Sequence, residues 1–218
     1  MRTRGIGKMI TIEKYKSDPC KALSIPYWKA KNLSVPPNMK IVHDSKFNAA
    51  LLEKYNDRKY FRLIHHLKAI PEFNVTEFEL GGISANMIDE LSNMINLSYA
   101  HLSVGVSADY LRTLMTSEVY CPELWIGAFS AKMIIGSVIC EFDKNTGEAA
   151  IEWLQVLPEY RNSDIASALV CQALKKMRGI ADFATVSGEC ENPANPEYVY
   201  RKCGFEGSDV WHILETRK

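Results

Sequence analysis

The sequence has no excess of charge of either sign. Its 218 residues carry 26 Lys and Arg against 26 Asp and Glu. Non-specific nucleic-acid binding needs a strong positive field, so a zero balance argues against it and no nucleic-acid partner is expected. A run of about 18 apolar residues is also missing, which excludes a membrane-spanning helix and leaves no membrane partner to expect. The charged N-terminus, Met1 to Lys8, is followed by no apolar stretch of the kind a signal peptide carries. The six cysteines include no CxxC pair, and the two closest, Cys190 and Cys203, stand thirteen residues apart. That spacing speaks against a structural zinc site, so no metal is expected. Reduced cysteines in a cytoplasmic protein are the expectation. Repeats and low-complexity tracts are absent. With 47% hydrophobic and 24% charged residues, the composition excludes a disordered, collagen-like or solenoid chain.

A chain of this length forms one large domain or two small ones and buries a sizeable core without disulfides. Its character changes near residues 69–75, where Pro71 biases its predecessor away from helix. Residues 1–71 read as an N-terminal extension packed on a main domain, 72–218. In the extension, Ile10–Tyr15, Met39–Val42 and Tyr60–His66 read as strands. Asp18-Pro19 offers a helix start, and Asp44 a cap for a short helix through Leu52. In the main domain, Val75–Leu80 reads as a strand ended by Gly81-Gly82. Helices are expected from Ser84 to Tyr99 and from Ser107 onward. Three strands follow, Leu124–Phe129, Met133–Phe142 and Ala149–Leu157, the last two joined by an Asp143–Gly147 turn. Then come a helix over 162–178, a strand over 183–188, a short helix near 195–202 and a strand over 210–214. This order implies an α/β (α+β) fold: a mixed, mostly antiparallel twisted sheet flanked by helices.

The stretch with chemical content runs from Ile151 to Arg178. A hydrophobic strand leads through Leu157-Pro158 into a short loop, Glu159–Ser163, and then a helix. A helix start after a strand presents free backbone N–H groups and the positive end of the macrodipole, which suit a pyrophosphate. Arg161 is expected at the rim, where a guanidinium pairs with phosphate.

Val156-Leu157-Pro158-Glu159-Tyr160-Arg161 followed by Ala166 resembles the acetyl-CoA loop of the GCN5-related N-acetyltransferase (GNAT) superfamily, whose pattern is Arg/Gln-x-x-Gly-x-Gly/Ala. Asn192 and then Tyr200-Arg201-Lys202-Cys203-Gly204-Phe205 resemble that family's later motif, Asn followed by Tyr-x-Lys-x-Gly-Phe. The resemblance covers roughly residues 73–215. It implies a GNAT-like fold and acetyl-CoA as acyl donor. By that resemblance the strand over 149–157 splays from its neighbour and holds the pantetheine arm through backbone groups of Leu154 and Val156. Asn162, Ser163, Asp164, Ile165 and Ala166 would hold the pyrophosphate beside Arg161. The sequence departs from the family at Asp164, which stands in place of the first glycine. A carboxylate turned toward a diphosphate at ~4 Å costs about 1 kcal/mol in water and about 4 kcal/mol at an effective dielectric near 20. An Asp in the first turn of a helix, facing solvent, instead stabilises it by roughly 0.3–1 kcal/mol.

The resemblance also implies the catalytic residues. Tyr200 would protonate the leaving thiolate, and Glu152 would take the proton of the attacking amine, since a cationic amine must first be neutralised. Strand alternation puts Glu152 on the face of Leu154 and Val156. Tyr198, Glu148 and Glu189 rank below them. Asn192 either orients the cofactor or closes a turn before Pro193. Gly204 is expected to end the short helix. His65 and His66 point to opposite strand faces and His212 stands alone, so none is a strong candidate. Cys190 and Cys203 have no visible activating base. The four tryptophans read as packing residues. The expected activity is acetyl transfer to the primary amine of a small molecule. The alternatives are a non-catalytic module of the same fold or a protein N-acetyltransferase. The apolar tail strand, with Val210, Trp211 and Ile213, suggests a homodimer contact.

Overall fold

The structure, a computed structural model, describes residues 10–31, 35–73, 77–100 and 105–217. Eight strands form one sheet in the order β1-β8-β2-β7-β6-β5-β4-β3. They are β1 (Met39–His43), β2 (Tyr55–His65), β3 (Glu79–Gly82), β4 (Tyr120–Ser130), β5 (Met133–Asp143), β6 (Glu148–Val156), β7 (Phe183–Glu189) and β8 (Glu206–Thr216). Every pairing is antiparallel except β6 with β7, which α5 (Ile165–Met177) connects.

Side-chain alternation sorts the helices onto two faces. α5 lies on one face, and Ile165, Leu169, Val170, Ala173, Leu174 and Met177 are buried beneath it. α6 (Pro196–Lys202) joins it there. α2 (Ile25–Lys31), α3 (Ile88–Ser98) and α4 (Ala108–Leu114) cover the opposite face, with Lys31 of α2 hydrogen-bonded to Tyr110 of α4. β5 is buried along nearly its whole length because helices cover both its sides.

The N-terminal segment is woven into the sheet. β2 lies between β7 and β8, and β1 pairs with β8 at the edge. A buried polar cluster secures this arrangement. The Glu148 carboxylate accepts from Arg62 Nη2 at 3.0 Å, from Thr185 Oγ1 and from Tyr15 Oη. Arg62 also donates to Pro19 O and Ser187 Oγ. Both partners are almost fully buried, so each needs the other to offset lost hydration.

Several local expectations are corrected. Residues 10–15 are not a strand: α1 (Ile12–Ser17) forms there, with the Thr11 hydroxyl capping the Lys14 N–H and Tyr15 turned into the polar cluster. Asp18-Pro19 opens only a short 3-10 turn, without a side-chain cap. Asp44 does not cap a helix through Leu52; two 3-10 turns occupy that stretch, capped by His43 and Asn48. The expected strand at 75–80 falls partly outside the described residues. Gly81 and Gly82 belong to β3 itself, paired opposite Gly127 and Ile126, and the strand ends at Gly82 rather than before them. The Phe129 ring lies against Gly81 and Gly127; a Cβ at Gly127 would meet its Cζ at 2.8 Å. The 143–147 turn is as expected: Asp143 Oδ1 accepts from Asn145 N and Thr146 N, and Gly147 takes φ +69°. Gly204 ends α6 at φ +94°, packed against His65.

Glu148→Gln should lower the unfolding free energy by about 3–5 kcal/mol, because it leaves the Arg62 charge buried and uncompensated. A urea titration reads this directly. A loss below about 1 kcal/mol would mean that the remaining acceptors around Arg62 suffice.

Candidate functional site

The parallel pairing of β6 with β7 runs from Glu148 opposite Phe183 to Ile151 opposite Val186 and stops. Beyond it β6 continues to Val156, paired with β5 only. A β-bulge sits at the same point: Cys140 of β5 faces Ile151 and Ile139 faces Trp153, so Glu152 is the extra residue. The two strands therefore part beyond Ile151 and leave one edge of β6 bare.

That edge carries the backbone groups of Leu154 and Val156, which share a direction because they are two residues apart. The Leu154 carbonyl accepts from Tyr99 Oη at 3.1 Å, and the Val156 carbonyl accepts from Arg161 Nε at 3.2 Å. Arg161 also donates to Ser98 O at the end of α3. Its guanidinium thus braces the loop against two elements; it does not stand free at the rim as its type suggested.

The loop itself retains its donors. Arg161 N–H closes on Pro158 O, and Ala168 N–H makes the first bond of α5 to Asp164 O. Between them, the N–H groups of residues 162–167 make no hydrogen bond among the described residues. Asn162 adopts φ +59°, a conformation an Asn side chain tolerates, and it turns the chain so that these donors gather at the start of a 13-residue helix. Ser163 Oγ donates to Tyr160 O and keeps the turn closed. Ile165 is buried and fixes the helix start in the core. Ala166 follows at the first turn, without bulk toward the loop.

Asp164 is the N-cap residue by position, but its carboxylate makes no cap bond. It pairs with Lys202 Nζ of α6 at 2.7 Å. Each of the two readings made from sequence is modified: the side chain faces neither the loop donors nor open solvent alone, but the lysine of the second motif. Both groups are well exposed, so the pair itself is worth little stability. Its effect is one of direction, since it draws the carboxylate toward α6.

Tyr200 lies on α6, 6% exposed, with its ring against Phe61 and Phe205. Burial pushes its phenol far above the ordinary range, and the nearby Tyr99, Cys140 and Glu152 add to this. The hydroxyl therefore keeps its proton at neutral pH. Tyr198, by contrast, is 64% exposed. Asn192 Oδ1 accepts from Ala194 N at 2.9 Å, which is the turn role.

Glu152 opens to the face opposite α5, with Trp153 beside it, while Leu154 and Val156 keep to the α5 side. The bulge breaks the alternation that would have grouped Glu152 with them. Its carboxylate makes no hydrogen bond among the described residues. Burial raises its pKa to about 7, against the pull of Lys31 and Arg62 and with help from Glu148. On β5 beside it, Glu141 is driven to about 9 by burial and by Glu152. Lys31 stands close by, with its ammonium 5.4 Å from the Tyr27 ring, 5.0 Å from Tyr110 and 5.5 Å from Trp153. Burial works to lower the lysine pKa, but the Tyr110 hydroxyl and Glu152 outweigh it, so Lys31 stays cationic.

Next to Glu152 is a cavity of about 440 Å³, between residues 23–28 and 35–41 on one side and the sheet on the other. Sequence reasoning did not anticipate it, nor the parts of Tyr99, Lys31 and Arg62. Arg62 did leave a signal: a single charge inside the apolar run Tyr60-Phe61-Arg62-Leu63-Ile64 foretells a buried ion pair.

The weaker candidates are placed elsewhere. Glu148 is held in the polar cluster, and Glu189 ends β7. His65 is buried against Phe205, while His66 faces Glu206 at the surface. His212 is locked between Asp57 and Asp44 and stacked on Phe47. Cys203 is buried with its thiol beside Cys171, whose contact drives its pKa upward. Burial likewise raises Cys190. Trp125 is core, Trp153 faces Tyr99 and Lys31, and Trp28 and Trp211 wall the cavity together with Ile213. Among the described residues no group of three or more His, Cys, Asp or Glu is placed to hold a metal ion, and no helix is long and apolar enough to cross a membrane.

A parting pair of strands, ahead of a helix start rich in free donors, defines the class. Residues 123–207 match the model of the Acetyltransferase (GNAT) domain family. The fold is that of the GCN5-related N-acetyltransferases. A GCN5-related N-acetyltransferase from Sphaerobacter thermophilus superposes with TM-score 0.67 at 16% identity, covering 81% of this chain and 58% of that one. The GCN5-related N-acetyltransferase from Kribbella flavida gives TM-score 0.59 at 11% identity, covering 83% and 68%. A chain of the NatC complex, solved with Gag peptide and CoA, gives TM-score 0.52 at 23% identity, covering 66% of this chain and 100% of that one. At these identities the likeness concerns the fold. This chain spans little more than half the length of the Sphaerobacter protein. No curated protein sequence matches it.

If the loop donors hold a diphosphate such as that of acetyl-CoA, Lys202→Met should weaken its binding by releasing the Asp164 carboxylate toward the loop. The expected cost is about 1 kcal/mol, or roughly fivefold in Kd. Adding Asp164→Gly should restore the affinity. Titration calorimetry on the four proteins of this cycle checks it, and a double variant as weak as Lys202→Met would show that the lysine acts on the ligand itself.

Proposed function

We propose that the protein transfers an acetyl group from acetyl-CoA to the primary amine of a small molecule. One coincidence carries this reading: β6 and β7 part at the residue after which Glu152 bulges, and the bare edge leads into a loop with its N–H groups free. The residues fit the ligand. The Leu154–Val156 edge can pair with an amide-bearing arm, and the N–H groups of residues 162–167 can bind a diphosphate, as helix starts do. When bound, acetyl-CoA supplies an activated acyl thioester.

The protein's own residues then have separable tasks. Glu152, with its pKa near 7, accepts a proton from the ammonium form of the acceptor, directly or through a water, so that a neutral amine attacks. Glu141, protonated at neutral pH beside it, keeps a second negative charge out of the site. Tyr200 keeps its proton on Oη at neutral pH and can hydrogen-bond the departing sulfur. Tyr99 and Arg161 hold the strand edge and the loop in register.

The base works only when deprotonated, so kcat/KM should rise with pH through about 7 and then level off. Glu152→Gln should remove that rise and lower kcat by about 10²–10⁴, the usual worth of a general base. Tyr200→Phe should lower kcat by at least about tenfold while leaving the Kd of acetyl-CoA unchanged. Steady-state rates over pH 5.5–9, paired with titration calorimetry, separate chemistry from binding. Absence of acetyl-CoA binding at millimolar concentration would overturn the proposal and leave a non-catalytic module of the same fold.

A further inference from the structure

The cavity beside Glu152 is built largely by the segment before residue 42, outside the matched domain. Its floor includes Ile151 and Val186, the last paired residues of β6 and β7. It therefore opens at the place where the strands part. Its walls are rings and aliphatic chains: Tyr27, Trp28, Met39, Tyr60, Trp211 and Ile213.

The polar groups around Glu148 that reach it are engaged with one another. Arg62 donates to Pro19 O, Ser187 Oγ, Tyr15 Oη and Glu148. Thr185 donates to Glu148, and Ser24 Oγ lies 3.5 Å from the same carboxylate. The one cation of the lining, Arg62, is thus fully engaged. Glu152 is the one acid of the lining, and its carboxylate has no hydrogen-bond partner among the described residues.

We propose that this cavity is the acceptor pocket, and that it selects a primary amine on an apolar body about the size of one aromatic ring. The inference rests on the acetyl-transfer reading. The ammonium end meets Glu152 at the parting of the strands, and the body lies among the rings. A volume of about 440 Å³ falls in the range of small-molecule sites. A second charge at the far end would meet no opposite charge in the lining and lose its hydration. A carboxylate near the amine would be repelled by Glu152, and the nearby cation, Lys31, is already drawn by Glu152 and hydrogen-bonded to Tyr110.

The probes are 2-phenylethylamine, ethanolamine and phenylalanine, which share the primary amine and differ in body and charge. The expected order puts 2-phenylethylamine at least about tenfold ahead of both others in kcat/KM, a difference a buried ring readily supplies. Trp28→Ala should raise the KM for 2-phenylethylamine about tenfold and leave the Kd of acetyl-CoA unchanged, whereas Trp28→Phe should restore most of the loss. Preference for ethanolamine or phenylalanine would overturn the proposal, as would a Trp28→Ala enzyme with unchanged amine KM. Faster use of hexanoyl-CoA than acetyl-CoA, lost in Trp28→Ala, would assign the cavity to the acyl chain instead. Faster acetylation of a peptide N-terminus than of any small amine would also overturn it. Direct titration of 2-phenylethylamine into the protein separates the two proposals. Trp28-dependent heat without acetyl-CoA binding would sink the transferase reading and retain the pocket. Acetyl-CoA binding without amine heat up to millimolar concentration would do the reverse.

Discussion

The Glu148 carboxylate is the group around which the rest of the molecule is arranged. It receives Arg62 from β2, Thr185 from β7 and Tyr15 from α1, while standing at the start of β6. A buried charge in that position needs all these donors, since each lost hydrogen bond would leave it partly unsolvated. The cluster therefore holds four separate pieces of chain at one depth. It also clamps β6 to β7 at the end where they are parallel, which leaves the other end free to part.

The site follows from that clamp. Three residues after Glu148 the pairing ends, and the bulge at Glu152 redirects one carboxyl away from α5. The opening is kept from collapsing by Tyr99 and Arg161, which hold the free carbonyls of Leu154 and Val156. Without such donors a bare strand edge would have to find water or another strand. A helix start with its donors gathered and a strand edge with its backbone exposed thus lie on one continuous path. The Asp164–Lys202 pair joins the two motifs across that path and draws the acid toward α6.

Much of the fold was legible from residue patterns. The strands from β4 onward, the 143–147 turn, α5 and the Gly204 stop all announce themselves through local periodicity and turn chemistry. The errors cluster in the first 82 residues. Residues 10–15 have the apolar and β-branched content of a strand, yet form a helix because Tyr15 must reach Glu148. Gly81-Gly82 reads as a terminator, yet both residues pair in β3, with the Phe129 ring over Gly81 where a Cβ would crowd it. In each case a distant side chain outweighed the local signal. Of the candidate site, the loop and Tyr200 could be located from their motifs, while the direction of Glu152 could not. Alternation is a sound guide only in a strand without a bulge, and a bulge depends on the partner strand's register.

The sequence by itself determined the type of sheet, the strand-loop-helix unit with its gathered N–H groups, and the residue types available for proton transfer. These depend on spacings of a few residues, which local backbone geometry reads directly. The tertiary structure alone decided that β2 enters the sheet between β7 and β8, that Arg161 braces the loop, that Asp164 turns to Lys202, and that residues 23–28 and 35–41 wall a cavity beside Glu152. Those outcomes join residues that can lie more than a hundred positions apart. Which partner a buried charge or a ring meets is settled by competition among all the packed elements at once, and no local pattern records its result.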